Sequence, residues 1–298
     1  MRIGIFAGEG TLEELIDLAK KAEASGFESF WLPQIFGIDA LCAHTLIGHT
    51  VPRIELGTAV VPTYPRHPAS LAGQALTVSA ATGGRFTLGI GLSHQIVIED
   101  MYGYSFKKPV RHMREYLSIL VPLLSGEAAD FQGETLSAKV DLAVPESSPV
   151  PVLVAALGPK MLELAAERTA GTVTWMTGPR TLSTHTVPTI TKAAERAGTG
   201  EMRVVGALPV AVTDDAAEIR ARAAKIFQIY GMLPSYRAML DREGVAGPED
   251  VALIGSAAEV RAGIEAMRDA GVTDFVAVEF NPTDPIASAT RAVLEEFV

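Results

Sequence analysis

Residues 11–32, TLEELIDLAKKAEASGFESFWL, contain one complete unit of the pattern that decides the fold. Apolar residues recur in them at the three-to-four spacing of a buried helix face, which predicts an amphipathic helix over residues 11–25. Thr11 and Glu14 form a capping-box signature at its start, and Gly26 suits the left-handed position that ends a helix. The residues after this glycine favour a strand, so the unit is a helix followed at once by a strand.

The unit recurs to the end of the chain, where Ser256 and Glu259 repeat the capping box and Gly271 ends the helix. Several strands are continuous apolar runs, which indicates a parallel sheet covered by helices on both faces. Eight strands are predicted, near residues 2–7, 28–33, 54–61, 86–92, 150–156, 172–177, 203–212 and 274–280. Eight alternating strand–helix units predict an α/β fold of the (β/α)8 TIM-barrel type. A doubly wound sheet would need a longer glycine fingerprint than residues 8–11 (GEGT) supply.

Two segments interrupt the repeat without the length or apolar content of a separate domain. Residues 126–148 contain short strand-like pieces and predict a hairpin, and residues 228–254 contain short helices separated by prolines and glycines. We therefore expect a single barrel domain over residues 1–298, with insertions near residues 126–148 and 228–254.

The charge balance restricts the class of partner. Twenty-five Lys and Arg against 35 Asp and Glu give a formal net charge of −10. Binding to nucleic acid requires surplus cations, so the sequence argues against a nucleic-acid partner. Because no run approaches the roughly 18 apolar residues of a membrane helix, no membrane partner is expected either. The N-terminus lacks the basic-then-apolar layout of a signal peptide, so a cytoplasmic protein is expected.

The cysteine and histidine pattern predicts neither a disulfide nor a metal site. Cys42 is the single cysteine, and its apolar surroundings predict a small core residue. His44 and His49 lie five residues apart on a predicted helix, about 140° around it, so they cannot share a metal ion. Trp31 and Trp175 lie within predicted strands and are expected in the core.

One segment suits a phosphate, because a TIM barrel carries its active site at the carboxyl ends of its strands. After the fifth strand, Gly158-Pro159 opens a helix and Lys160 follows. A glycine turn at a helix N-terminus leaves free N–H groups that suit a phosphate. The same dipeptide is also a common way simply to begin a helix, so both interpretations stay open.

Three further polar residues follow strand ends. His94, after the fourth strand, can donate a proton or a hydrogen bond to a bound ring, or can simply cap the strand. Arg66 and His67 follow the third strand and can contact a ligand. For Arg66, an ion pair with a neighbouring loop is the simpler interpretation.

Several segments, taken in order, resemble the bacterial luciferase-like superfamily, and specifically its coenzyme F420-dependent oxidoreductases. The resembling segments are residues 54–60 (IELGTAV), 66–68 (RHP), 83–91 (GGRFTLGIG), 102–103 (YG), 113–117 (MREYL) and 151–161 (PVLVAALGPKM). The match runs from residue 1 to about residue 180 and resumes weakly near the eighth strand. The resemblance implies an α/β barrel with inserted segments, usually dimeric, in agreement with the strand count.

The resemblance also implies a deazaflavin in the barrel mouth that exchanges hydride at its central ring. A non-prolyl cis peptide at Ala59–Val60 would support the ring, residues 157–160 would hold the cofactor phosphate, and His94 would line the reacting centre. His94 is therefore the candidate catalytic residue. The candidate cofactor-binding residues are Gln34, Ala59, Val60, Ser93, His94, Leu157, Gly158, Pro159, Lys160 and Thr177.

One departure from the family pattern lies at the end of the second strand. Many F420 enzymes of this superfamily have an Asp-His pair there, whereas this chain has Gln34 and Ile35. Gln34 can hydrogen-bond a ring, but Ile35 cannot transfer a proton. The substrates and mechanisms of the family's sugar-phosphate and alcohol dehydrogenases therefore cannot be carried over.

We therefore expect a coenzyme F420-dependent oxidoreductase that passes hydride between the deazaflavin and a small organic substrate. The alternatives are an FMN-dependent luciferase-like monooxygenase, and a flavin- or deazaflavin-binding member without catalysis. The expected partners are a small-molecule substrate and a second copy of the chain, as a homodimer. Because the chain is acidic, the phosphate and polyglutamate tail of F420 need local cations, for which Lys160, Arg66 and Arg180 are the candidates.

Overall fold

The computed structural model describes residues 1–8, 10–280 and 283–298. Its main sheet is a closed barrel of parallel strands, each paired with the next along the chain, and the last strand pairs with the first. The barrel strands are β1 (Arg2–Phe6), β2 (Ser29–Leu32), β3 (Glu55–Thr58), β4 (Phe86–Gly91), β5 (Val152–Ala155), β6 (Gly171–Trp175), β7 (Arg203–Val212) and β8 (Asp274–Glu279). The predicted TIM barrel is confirmed.

Helices follow the strands and enclose the barrel. They are α1 (Leu12–Ala24), α2 (Ala40–Thr50), α3 (Pro68–Thr82), α4 (Pro109–Leu124), α5 (Pro159–Arg168), α6 (Pro179–Thr181), α7 (Val187–Ala197), α8 (Ala216–Ile226), α9 (Gln228–Met232), α10 (Pro234–Glu243), α11 (Ala257–Asp269) and α12 (Asp284–Glu295). Both predicted capping boxes form, at Thr11–Glu14 and at Ser256–Glu259. Within the described residues, no helix is long and apolar enough to cross a membrane.

The third strand departs from the prediction of one continuous run over residues 54–61. It stops at Thr58, and a two-residue strand, Val61–Pro62, resumes the pairing with β4. The interruption is a bulge at residues 59–60. Sequence periodicity did not show it, because apolar residues fill the run on both sides of the break.

An ion network closes the amino end of the barrel. The Arg203 guanidinium lies 2.6 Å from carboxylate oxygens of both Glu55 and Asp274. It also lies over the ring of Trp31, 5.6 Å from the ring centre. Trp31 is fully buried, so its expected place in the core is confirmed. The amino end is thus filled, and the open face of the barrel is at the carboxyl ends of the strands.

The two inserted segments attach at different places. Residues 126–148 contain an antiparallel hairpin of Ala129–Gln132 and Ser137–Val140. The buried carboxylate of Glu115 on α4 accepts the N–H groups that follow the first hairpin strand, from residues 134, 135 and 136. Residues 228–254 form α9, α10, a 3-10 turn and the start of a short strand, Leu253–Gly255, that pairs with β7.

The prediction for Cys42 is wrong, because its thiol lies on the exposed side of α2. Leu41, Ala43, His44 and Ile47 are the buried side of that helix. Apolar residues occur all around α2, so its sequence has no clear polar face, and this absence concealed which way the cysteine points.

Candidate active site

The bulge after β3 forms part of the floor of the barrel mouth. The peptide bond between Ala59 and Val60 is cis, as the resemblance implied. Val60 packs over Gly91, where an added Cβ would lie 2.7 Å from the valine Cγ2. Phe6, Ala155 and Trp175 pack with the bulge on the same interior cluster. The floor is therefore apolar, and it lies directly above the packed barrel core.

Trp175 corrects the expectation of a core residue. It is partly exposed at the end of β6, and its ring stacks on Phe6 with 6.5 Å between ring centres. The carboxyl end of a barrel strand faces the mouth, so its position in the chain was the available signal. A tryptophan at this position packs on the core and is also exposed to the mouth.

Gln34 presents a free amide N–H2 group beside this floor. Its Oε1 accepts a hydrogen bond of 2.9 Å from the Ala40 N–H at the start of α2. That contact fixes the orientation of the amide, so Nε2 is the end that remains as a donor. Within the described part of the chain, Nε2 has no acceptor. Ile35, next in the chain, is exposed.

His94 lies at the opposite side of the bulge, after β4. It follows Ser93, whose φ of 60° turns the chain away from the strand direction. Burial lowers the pKa of the His94 imidazole below its ordinary value. The ring is therefore neutral at pH 7, with one nitrogen that donates and one that accepts.

An aromatic group surrounds His94 and was not found from the sequence. We call it the mouth aromatic cluster, and it consists of His94, Trp175, Phe227, Tyr230 and Tyr236. Their ring centres lie 4.9 Å (Tyr230–Tyr236), 5.7 Å (Trp175–Phe227), 5.9 Å (His94–Tyr236), 6.0 Å (Trp175–Tyr230) and 6.5 Å (His94–Tyr230) apart. Phe227, Tyr230 and Tyr236 come from the end of α8 and the second insertion, so only the fold brings them to the mouth.

The turn after β5 has unused hydrogen-bond donors. Gly158 caps α5 without a side chain, and an added Cβ would meet no atom within 4 Å. Among the described residues, the N–H groups of Gly158 and Lys160 have no acceptor, and the exposed Lys160 ammonium has no ion pair. The Leu157 carbonyl accepts a 2.8 Å hydrogen bond from His185 Nε2, and this contact helps to fix the backbone of the turn.

The turn after β6 is closed by the chain itself. The Glu243 carboxylate, at the end of α10, accepts the N–H of Arg180 at 3.1 Å and of Thr181 at 2.7 Å. Thr177 is buried, and its hydroxyl donates to the Trp175 carbonyl at 3.2 Å. Its role in cofactor binding stays a prediction. The Arg180 side chain is exposed beside this turn.

The simpler interpretation of Arg66 is confirmed. Its guanidinium pairs with Asp39, the N-cap residue of α2. His67 caps α3 by accepting the Ala69 N–H. Arg66 still lines a pocket of about 180 Å³ at the mouth, together with Gln34, Ile35, Pro62, Pro65 and Tyr102. Of the three cations considered from the sequence, Lys160 and Arg180 are thus the two without an ion pair among the described residues, although the Arg180 guanidinium donates a 3.4 Å hydrogen bond to the Glu243 carbonyl.

Comparison with known proteins identifies the family. Residues 1–274 match the luciferase-like monooxygenase family, so the chain belongs to it. A Mycobacterium tuberculosis protein named as a coenzyme F420-dependent oxidoreductase is 27% identical over 77% of this chain and 72% of its own length. The expectation of an enzyme of this superfamily is thereby confirmed.

Solved structures share the whole fold. An F420-dependent secondary alcohol dehydrogenase, in complex with an F420-acetone adduct, has a TM-score of 0.83 at 20% identity and covers 100% of this chain and 98% of its own. The FMN-bound oxygenating constituent of 3,6-diketocamphane monooxygenase from Pseudomonas putida has a TM-score of 0.77 at 19% identity, covering 99% and 96%. At these identities the likeness concerns the fold, which serves both a deazaflavin and a flavin enzyme.

Proposed function

We propose that the protein is a coenzyme F420-dependent oxidoreductase that exchanges hydride with a small organic substrate. The observation that carries the proposal is the uncapped turn at Gly158–Lys160, next to a mouth whose floor is apolar. Such a site offers free N–H donors and a cation to a phosphate, and an uncharged surface to a ring. The chemistry that a bound deazaflavin supplies is the exchange of a hydride.

Named residues fit such a group. The N–H groups of Gly158 and Lys160 and the Lys160 ammonium would hold the phosphate, and the exposed Arg180 would attract an anionic tail. The Ala59–Val60 bulge would support the ring from below. Gln34 Nε2 would donate to a ring carbonyl, because its Oε1 is already used by Ala40.

His94 is the residue we assign to proton transfer. Its imidazole is neutral at pH 7, so the ring nitrogen without a proton can accept one, and the other nitrogen can donate a hydrogen bond. Ile35 cannot replace it, and the remaining hydroxyls of the cluster are poor acids, since burial raises the pKa of Tyr230 and Tyr236.

A titration with the two cofactors tests the proposal. We expect F420 to bind in a saturable manner and FMN to bind more weakly, measured by cofactor fluorescence on the purified protein. Tight FMN binding without F420 affinity would contradict the proposal and favour the monooxygenase instead. With a substrate in hand, His94→Ala should lower turnover more than cofactor affinity, whereas unchanged kinetics would remove His94 from catalysis.

Self-association is a separate proposal. Residues 40–50 of α2 and 68–82 of α3 contain no Asp, Glu, Lys or Arg, although the chain as a whole carries a net charge of −10. Two acidic copies repel each other least over such a surface. Sedimentation of the wild type as a monomer at all concentrations would contradict this homodimer.

A further inference from the structure

The mouth aromatic cluster lies where a substrate would meet the cofactor ring. The residues that form the cluster therefore bear on which substrate can bind. Its members are only partly buried, unlike Trp31 on β2, which is fully buried. A cluster that serves only as core would be sealed from solvent. The partly exposed rings therefore form a surface that a ligand can reach.

The cluster carries no formal charge at pH 7. His94 is neutral there, and the other four members are tryptophan, phenylalanine and tyrosine. The rim opposite is also apolar, because Phe36 and Tyr102 are exposed with their ring centres 6.3 Å apart. Arg66 lines the pocket beside this rim, but Asp39 neutralises it. A charged substrate would lose its hydration here without meeting an opposite charge.

The geometry of the cluster favours another ring. His94 meets Tyr236 edge to face, and Tyr230 meets Trp175 and Tyr236 in the same way, at interplanar angles of 61°, 75° and 64°. Edge-to-face contacts can be extended by one more aromatic ring at little cost. A saturated molecule would fill the same volume but would lack this part of the attraction.

Tyr230 and Tyr236 are attached to the barrel in different ways. It lies on α9, which has five residues and none buried. Tyr236, by contrast, lies on α10, which is fixed to the barrel by Glu243 and by the Thr181 hydroxyl bonded to the Met239 carbonyl. Because α9 is short and has no fully buried side chain, the ring of Tyr230 is held mainly by its contacts with the other rings of the cluster.

We propose that the mouth aromatic cluster is the substrate-binding surface and that it selects an uncharged, planar aromatic molecule. The proposal rests on the proposed function, because it takes the bound molecule to be the substrate of an oxidoreductase. Binding of an aromatic molecule to the cluster can nevertheless be measured without turnover. Tyr230 and Tyr236 are then specificity residues, and His94 contacts both the cluster and the reacting centre.

Binding of 2-naphthol, a neutral aromatic probe, tests the proposal. We expect saturable calorimetric binding that Tyr230→Leu and Tyr236→Leu each weaken about threefold to tenfold, because leucine keeps apolar bulk but removes the ring. Tyr104→Leu is the matched control, since Tyr104 is exposed outside the cluster and should leave the affinity unchanged. Quenching of tryptophan fluorescence by 2-naphthol should be weaker in Trp175→Phe, because Trp175 is the tryptophan at the mouth, whereas Trp31 lies in the core.

Two results would overturn the proposal: equal affinity in the wild type and both leucine variants, or equal affinity for trans-2-decalol, the saturated counterpart of the probe. Thermal melting of each variant shows whether it is folded, and a variant that is not folded is replaced by Tyr→Phe, which keeps the ring and should keep the affinity. The cofactor titration is read separately. Binding of 2-naphthol without binding of F420 or FMN would contradict the proposed function and support the aromatic surface. Binding of F420 without binding of 2-naphthol would support the proposed function and contradict the aromatic surface.

Discussion

Two turns at the barrel mouth have nearly the same sequence, Leu157-Gly158-Pro159-Lys160 after β5 and Thr177-Gly178-Pro179-Arg180 after β6. Each places a glycine at a helix N-cap, a proline at the first helical position and a cation next. Their backbone donors nevertheless have different partners. At the first turn the N–H groups of Gly158 and Lys160 have no acceptor among the described residues, whereas at the second the Glu243 carboxylate accepts the N–H groups of Arg180 and Thr181.

The difference lies in what occupies the space above each glycine. An added Cβ at Gly158 would meet nothing, but one at Gly178 would collide with the Glu243 carboxylate. A helix N-terminus binds an anion wherever it is left open, and that anion can be the chain's own carboxylate. Whether such a turn is open to a phosphate therefore depends on the absence of an internal anion as much as on its own sequence.

Gly158→Asp would turn the first turn into a copy of the second. The backbone at Gly158 is extended (φ −82°, ψ 152°), as an aspartate cap requires. The new carboxylate would occupy the donors and repel the phosphate. We expect the dissociation constant of the cofactor that the wild type binds to rise about tenfold to a hundredfold, as for loss of a charge-assisted hydrogen bond, measured by fluorescence titration.

Gly158→Ala is the control for this substitution. Its methyl group has room and leaves the donors free, so we expect affinity close to that of the wild type. The aspartate variant should also be as stable as the wild type or a few tenths of a kcal/mol more stable. An aspartate variant that binds the cofactor as tightly as the wild type would remove the phosphate from this turn.

Glu243→Ala would open the second turn. It would leave the N–H of Thr181, a buried residue, without its acceptor and would detach the end of α10. We expect a loss of about 1–3 kcal/mol in the free energy of unfolding, measured by urea denaturation. Glu195→Ala, which removes an exposed glutamate on α7, is the control. If the Glu243→Ala variant were as stable as this control, Glu243 would not be the group that closes the turn.

The two turns also show how far sequence reasoning reaches. Continuous apolar runs and capping boxes are local, so the eight strands and the ends of α1 and α11 were predictable. Glu243 lies more than 60 residues from the turn it closes, and no local pattern links them. For Trp175 the position at the end of a strand was an available signal, but the rings around it come from the end of α8 and from the second insertion, which no local pattern links to it. Cys42 was misjudged because α2 lacks a polar face.

The hairpin turn at residues 134–136 is a third turn whose N–H groups are accepted by a carboxylate of the chain, that of Glu115. Burial raises the pKa of the Glu115 carboxyl, but hydrogen bonds from Thr135 and the N–H groups of residues 134–136 outweigh it and lower the pKa to about 2. A folded-state pKa below the ordinary value of 4.5 stabilises the protein above that value. We therefore expect stability to be lost as the pH falls from about 4.5 through about 2.

Urea denaturation at a series of acid pH values measures this loss. Glu115→Gln should flatten that part of the pH dependence, because the amide cannot titrate. Glu127→Gln, which changes an exposed glutamate just before the hairpin, should leave it unchanged. If the pH profiles of the two variants coincide, Glu115 is not the group that holds the hairpin turn through its charge.

Lys160→Ala tests the smallest difference between the turns: the Lys160 ammonium has no partner among the described residues, whereas the Arg180 guanidinium donates a 3.4 Å hydrogen bond to the Glu243 carbonyl. The N–H donors stay in place, so only the attraction between an exposed ammonium and an anion is removed. Such attractions contribute about 0.3–1 kcal/mol and are screened by salt, so we expect the cofactor dissociation constant to rise about twofold to fivefold at low ionic strength and to approach the wild-type value at high salt. Lys192→Ala, which removes an exposed lysine on α7, should have no effect. An effect of Lys160→Ala that persists at high salt would mean that the lysine contacts the phosphate directly instead of attracting it through solvent, and would place the anion nearer to the side chain than to the backbone of the turn.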